Sequence, residues 1–134
     1  MKNLFVKIIS ILTGDVTLTA IVPATQIFVG PVDVTVEEQT GLLMPQINIR
    51  QVTEVTATVP RNTRETTFQV DIWSRNNQLE VEDIYERIIT LLNYLLTDQG
   101  SNHIFWQRSG GAVDDYEGDR RIWHRSITFV AWVQ

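Results

Sequence analysis

The strongest constraint in this chain lies between residues 67 and 95, where the apolar period changes from strand-like to helical. Phe68, Val70 and Ile72 alternate with Thr67, Gln69, Asp71 and Trp73. Successive strand side chains point to opposite faces, so this alternation predicts a strand with one buried face. Shortly after it, Leu79, Ile84, Ile88, Leu91, Leu92 and Leu95 recur at helical spacing, which predicts an amphipathic helix over residues 78–97. Asn76 or Asn77 can cap it, and Glu80, Glu82 and Asp83 fill its first turn, where acids suit the positive end of the helix dipole.

The remaining elements are placed around this pair. Leu4, Phe5, Ile8, Ile9 and Leu12 share one face of a short opening helix that Gly14 ends. Asp15 can cap a second short turn through Ile21, which Pro23 stops. Gln26–Val29 reads as a short strand. Residues 31–44 carry Val32, Val34 and Val36 in alternation and read either as an edge strand or as an extended arm. Ile47 and Ile49 alternate with Asn48 and Arg50 in a strand running to about Val55, followed by a polar turn over 57–65. His103–Arg108 is a strand, 109–119 an acidic loop containing glycine, and 121–133 a long final strand with Trp123, Ile127, Phe129, Ala131 and Val133 on one face. The order predicts an α+β fold: one antiparallel β-sheet with a long helix and short N-terminal helices packed on it. No linker composition or internal repeat divides the 134 residues, so a single domain is expected over 1–134.

Composition narrows the chemistry. The chain has no cysteine, which excludes disulfides, thiolate nucleophiles, zinc fingers and cysteine-held iron–sulfur clusters. A formal charge of −5 argues against a surface that grips phosphates by counterion release. No segment is long and apolar enough to span a membrane, and the apolar start is interrupted by Lys7 and closed by Thr13-Gly14-Asp15 without a clear cleavage site. It reads as a helix of the mature protein, used in the cytoplasm.

The search for a reactive site returns little. Asp114, Asp115, Glu117 and Asp119 beside Gly118 invite a calcium loop. An EF-hand frame from Asp115 puts Ser126 where the bidentate Glu belongs, and Gly118 comes too early, so a solvated loop is the better reading. His103 and His124 lie on separate strands with no serine in a nucleophile elbow, and Gly110-Gly111 has no following Lys and helix to make a phosphate loop. No catalytic, cofactor or metal residues are assigned. Arg120, Arg121 and Arg125 follow four acids and read as locally neutralised, while Arg61 and Arg64 sit in a loop that reads by default as solvated and alternatively as a contact with an acidic partner or with DNA passing nearby. Four tryptophans are many for this length, and Trp is enriched at interfaces. Trp73 is on the polar face of its strand and Trp132 on the face opposite Ile127, Phe129 and Ala131, so either the N-terminal helices cover that face or it is an interface. Arg61, Arg64, Trp73, Asp114, Asp115, Tyr116, Glu117 and Trp132 are therefore the candidate subunit or partner contacts.

The strand Phe68-Gln69-Val70-Asp71-Ile72-Trp73-Ser74 leads into the helix Val81-Glu82-Asp83-Ile84-Tyr85-Glu86-Arg87-Ile88, and the chain closes with Arg125-Ser126-Ile127-Thr128-Phe129-Val130-Ala131-Trp132. With the opening helix and Leu18-Thr19-Ala20-Ile21-Val22, this pattern resembles the tail terminator (tail completion) family of tailed bacteriophages, from residue 4 to 133. The resemblance implies a structural virion protein of the tail or neck, assembled in the host cytoplasm as a homohexameric ring. Such a ring caps the head-proximal end of the tail tube, ends tube polymerisation and presents a joining surface to the head connector. Its implied partners are copies of itself, the tube protein, the connector and, in a contractile tail, the sheath, with DNA passing through the hole and no cofactor. Two other readings compete: a stopper or adaptor ring of the neck, and a small ligand-binding α+β domain.

Overall fold

The computed structural model describes residues 2–30, 44–57, 63–99, 102–118 and 121–133. The possible arm at 31–43 and Arg61 lie outside them. Helix α1 (Lys2–Thr13) buries Leu4, Ile8 and Leu12 and stops at Gly14, whose N–H donates to the Ser10 carbonyl at 3.0 Å. A Cβ at Gly14 would lie 2.9 Å from that carbonyl oxygen, so a side chain there pushes the helix end away. Helix α2 (Val16–Thr19) starts at Asp15, whose carboxylate accepts from the Leu18 N–H at 2.8 Å. A 3-10 turn at Ala24–Gln26 leads into strand β1 (Ile27–Val29).

Strands β2 (Gln46–Ala57) and β3 (Thr63–Ser74) form an antiparallel pair with a bulge between Gln51 and Thr53. Helix α3 (Gln78–Leu92) is capped by Asn77, whose side chain accepts from the Glu80 N–H at 2.8 Å. The Glu80 carboxylate in turn accepts from Ser74 Oγ and Asn76 Nδ2, both at 2.7 Å, which fixes the angle at which strand becomes helix. Strands β4 (Leu96–Gln99), β5 (Asn102–Arg108), β6 (Val113–Glu117) and β7 (Ile122–Val133) complete the chain.

The sheet runs β1-β2-β3-β7-β5-β4, with β6 also on β7. All pairings are antiparallel except β1 on β2, where Ile27 faces Ile47 and Val29 faces Ile49 in parallel register. The sheet is thus antiparallel as the sequence predicts except at this edge, where β1 and β2 run the same way and make it mixed. One edge of β7 serves two strands: β5 pairs with Phe129–Val133 and β6 with Ile122–Ser126. The expected acidic loop at 109–119 shrinks to a break at 109–112, where Ser109 N–H still donates to the Thr128 carbonyl and Gly110 takes φ +73°. The helix is shorter than expected too. It ends at Leu92, Tyr94 adopts φ +61°, and the Tyr94 N–H donates to the Trp106 carbonyl, which diverts the chain into β4.

The core lies between one sheet face and the helices. Ile47, Ile49, Phe68, Val70, Ile72, Ile104, Trp106, Ile127, Phe129 and Ala131 meet Leu4, Ile8, Leu12, Leu18, Val81, Ile84, Ile88 and Leu92. Phe68 stacks on Phe129 at 5.6 Å and meets Trp106 edge-on at 5.8 Å, a geometry that suits the ring quadrupoles. Arg87 of α3 clamps Asp15 with two hydrogen bonds of 2.8 and 2.7 Å, tying α2 to the long helix.

Candidate functional site

Two polar clusters and two apolar surfaces stand apart from this core. The first cluster is on the sheet face away from the helices, where Asp71, Trp73 and His124 come together because Trp73 and His124 are register partners on β3 and β7. The His124 ring lies flat against the Trp73 ring at 3.8 Å, and its Nε2 is 2.9 Å from Asp71 Oδ1. Gln69 Nε2 donates to the same carboxylate at 2.8 Å, and Arg50 Nε lies 3.8 Å away. Burial acts to raise the Asp71 pKa, but the hydrogen bonds from His124 and Gln69 outweigh it and hold it below the usual carboxylate range.

The second cluster centres on Arg125, which is buried on the helix side of β7. Its Nε and Nη2 donate to Asp114 of β6 at 2.6 and 3.0 Å, its Nη1 donates to Glu82 of α3, and its guanidinium lies 4.7 Å from the Tyr85 ring centre. Arg108 Nη1 donates to the hydroxyl of the same tyrosine. The hydrogen bonds from Arg125 lower the Asp114 pKa, and those carboxylates raise that of Arg125. The arrangement fastens β6 to both sheet and helix. Tyr116 of β6 adds a ring contact with Trp123 at 4.3 Å.

At one end of the strand order, Leu96, Phe105 and Trp132 lie opposite one another across β4, β5 and β7, on the face away from the helices. Tyr94 adds its ring 6.4 Å from Phe105. At the other end, Phe5, Val6 and Ile9 of α1 and Val29 of β1 line a shallow apolar groove of about 450 Å³.

The residues singled out in the sequence fall into different settings. Trp73 is buried against His124, Trp132 is half-buried in the apolar stripe, and Arg64 is exposed on β3. Asp114 turns inward to Arg125, whereas Asp115 is exposed and accepts from the Tyr116 N–H at 2.8 Å. Tyr116 is partly exposed on Trp123 and Glu117 is half-buried at the end of β6. These acids therefore alternate along a strand, where the sequence predicts a loop. Sequence reading missed the Asp71–His124 pair and the reach of Arg125 to Glu82. The first needs the β3–β7 register. The second carries a signal in the chain, an arginine at an inward-facing strand position. Among the described residues no three His, Asp or Glu side chains gather as metal ligands, and no helix is long and apolar enough to cross a membrane.

The comparisons with known proteins bear on this arrangement. No curated protein matches the chain. Among solved structures, a chain from the virion of a native gene transfer agent particle has the same fold, with a TM-score of 0.72 at 10% identity, covering 94% of this chain and 90% of that one. The family model described as "Tail completion protein gp17" matches residues 6–134. A chain with this fold, matched over nearly its whole length, belongs to the tail completion protein gp17 family and is a structural protein of the phage tail.

Proposed function

We propose that this chain closes with copies of itself into a ring of six that caps the head-proximal end of the tail tube. The ring stops tube polymerisation with one face and offers the other to the head connector. The observation that carries this reading is the family match over residues 6–134. The structural relative, taken from a gene transfer agent virion, is in keeping with it. A cap ends a filament when one of its faces copies the tube's own contact and the other does not. The net charge of −5 suits a hole through which a polyanion moves without being held. In a contractile tail the rim would also meet the sheath.

Electron microscopy tests it. The purified chain, with tail tubes added, is expected to form six-membered annuli seated on tube ends. Particles made without it should show overlong tails or tails unattached to heads. Tails of normal length beside full heads that lose their DNA would overturn the terminator reading in favour of a neck stopper.

A further inference from the structure

On the sheet face away from the helices, four buried side chains gather across β2 and β3. Gln46 faces Trp73 and Asn48 faces Asp71 in the register of the two strands. Asn48 is 2% and Trp73 9% exposed, and Gln46 and Asp71 are buried beside them. Polar atoms at that depth ordinarily find hydrogen-bond partners. Several here do. Asn48 Nδ2 donates to Gln46 Oε1 at 3.1 Å, and Asp71 Oδ1 accepts from Gln69 Nε2 and lies 2.9 Å from His124 Nε2. Two do not. Trp73 Nε1 and Asn48 Oδ1 are sealed from solvent and have no partner among the described residues.

The two atoms are complementary. The indole N–H can only donate, and the amide oxygen can only accept. They are also neighbours: Asn48 pairs directly with Asp71, so Trp73, two residues further along β3, stands diagonally across from it. Side chains in that relation are about 7–8 Å apart at the backbone and within reach of long or aromatic groups. The His124 ring lies flat against the Trp73 ring at 3.8 Å and steadies it. Whatever joins the two atoms must accept on one side and donate on the other. An anion would meet the Asn48 oxygen and the Asp71 carboxylate, and a cation would meet the indole N–H. A partner chain cannot reach atoms that solvent does not touch.

We propose that one internal water molecule bridges Trp73 and Asn48, accepting from the indole N–H and donating to the amide oxygen. Its second hydrogen goes to the Asp71 carboxylate opposite Asn48, which completes the three bonds typical of a buried water. The water adds a side-chain tie between β2 and β3 and fixes the indole beneath the His124 ring. This site is independent of the ring reading above.

Proton–nitrogen correlation spectra of the full chain test it. The chain has four tryptophans, and Trp73→Phe assigns the indole signal of Trp73 by its loss. In the wild type that indole N–H is expected to show a cross-peak to a long-lived water. Asn48→Leu, which removes the acceptor and fills its space, should abolish the cross-peak. The indole of Trp106, which donates to Thr97 Oγ1 at 2.8 Å, should keep its signal and so report an intact fold. A crystal structure should place one water oxygen within hydrogen-bond distance of Trp73 Nε1 and Asn48 Oδ1. A direct bond between those two atoms, or a bond from either to another protein group, would overturn the proposal. So would a wild-type Trp73 signal with no water cross-peak beside an unperturbed Trp106 signal. If Asn48→Leu does not fold, the wild-type spectrum and crystal structure decide alone.

Discussion

Arg125 occupies an inward-facing position of β7 between Trp123 and Ile127, where strand alternation calls for an apolar side chain. A buried cation there requires partners, and the fold supplies two from elements far apart in sequence, Asp114 and Glu82. Replacing it with methionine releases two carboxylates that are each nearly half exposed, so they rehydrate in place. The expected cost in urea unfolding is about 2–3 kcal/mol, that of the charged hydrogen bonds lost. An unchanged midpoint would show the cluster to be energetically idle. The alternation that flags Arg125 is legible in the sequence, but its partners are not, because β6 reads there as a loop. Acid gives a second check. Asp71 has a folded-state pKa below its unfolded value of about 3.9, as do Asp15 and Asp114. The stability each lends is complete above that value and is lost as the pH falls through the folded value. Asp71→Asn should therefore flatten the decline of the melting temperature below about pH 4, and an identical acid profile would remove Asp71 from that account.

The strand–helix unit of β3 and α3 is the part of the fold that local pattern expresses best, because both halves face the same core with their own period. Its start is also written in the chain. Asn77→Ala removes the side chain that accepts the Glu80 N–H, and a loss of about 1 kcal/mol is expected in thermal or urea melts. The helix end is not legible. Leu95 continues the helical spacing, yet the backbone leaves the helix at Leu92 because Tyr94 and Leu95 exchange hydrogen bonds with Trp106 across to β5. Period alone cannot register a main-chain partner eleven or twelve residues away. The same holds for β6, whose residues are polar or exposed and whose pairing depends on the free half of the β7 edge. Tyr94→Gly tests this helix end. It should stabilise the isolated chain by about 1 kcal/mol by relieving the left-handed strain. A variant no more stable than the wild type would show that the left-handed turn carries no strain.

For the whole molecule, the face away from the helices divides along its length. The end bearing Asp71, Trp73 and His124 is already closed within one chain, and the end bearing Leu96, Phe105 and Trp132 is not. Composition gave no hint of this, since the four tryptophans look alike until the strands are paired. Trp132→Ala should accordingly lower ring yield on tubes, measured by electron microscopy, with a smaller effect on folding than Trp106→Ala, whose ring is fully buried and which is expected to cost about 3–5 kcal/mol. Equal losses of folding in the two variants would place Trp132 in the core's service. Strand β7 joins these regions. It is paired on both sides over much of its length, to β3 on one and to β5 and then β6 on the other. A pull along its axis would load both ladders in shear at once, so neighbouring bonds must yield together and not in sequence. Strain entering at Trp132 would then be shared with β3, β5 and β6 before it reaches Arg125, so the molecule should resist extension most along the line that joins its aromatic end to its ionic one.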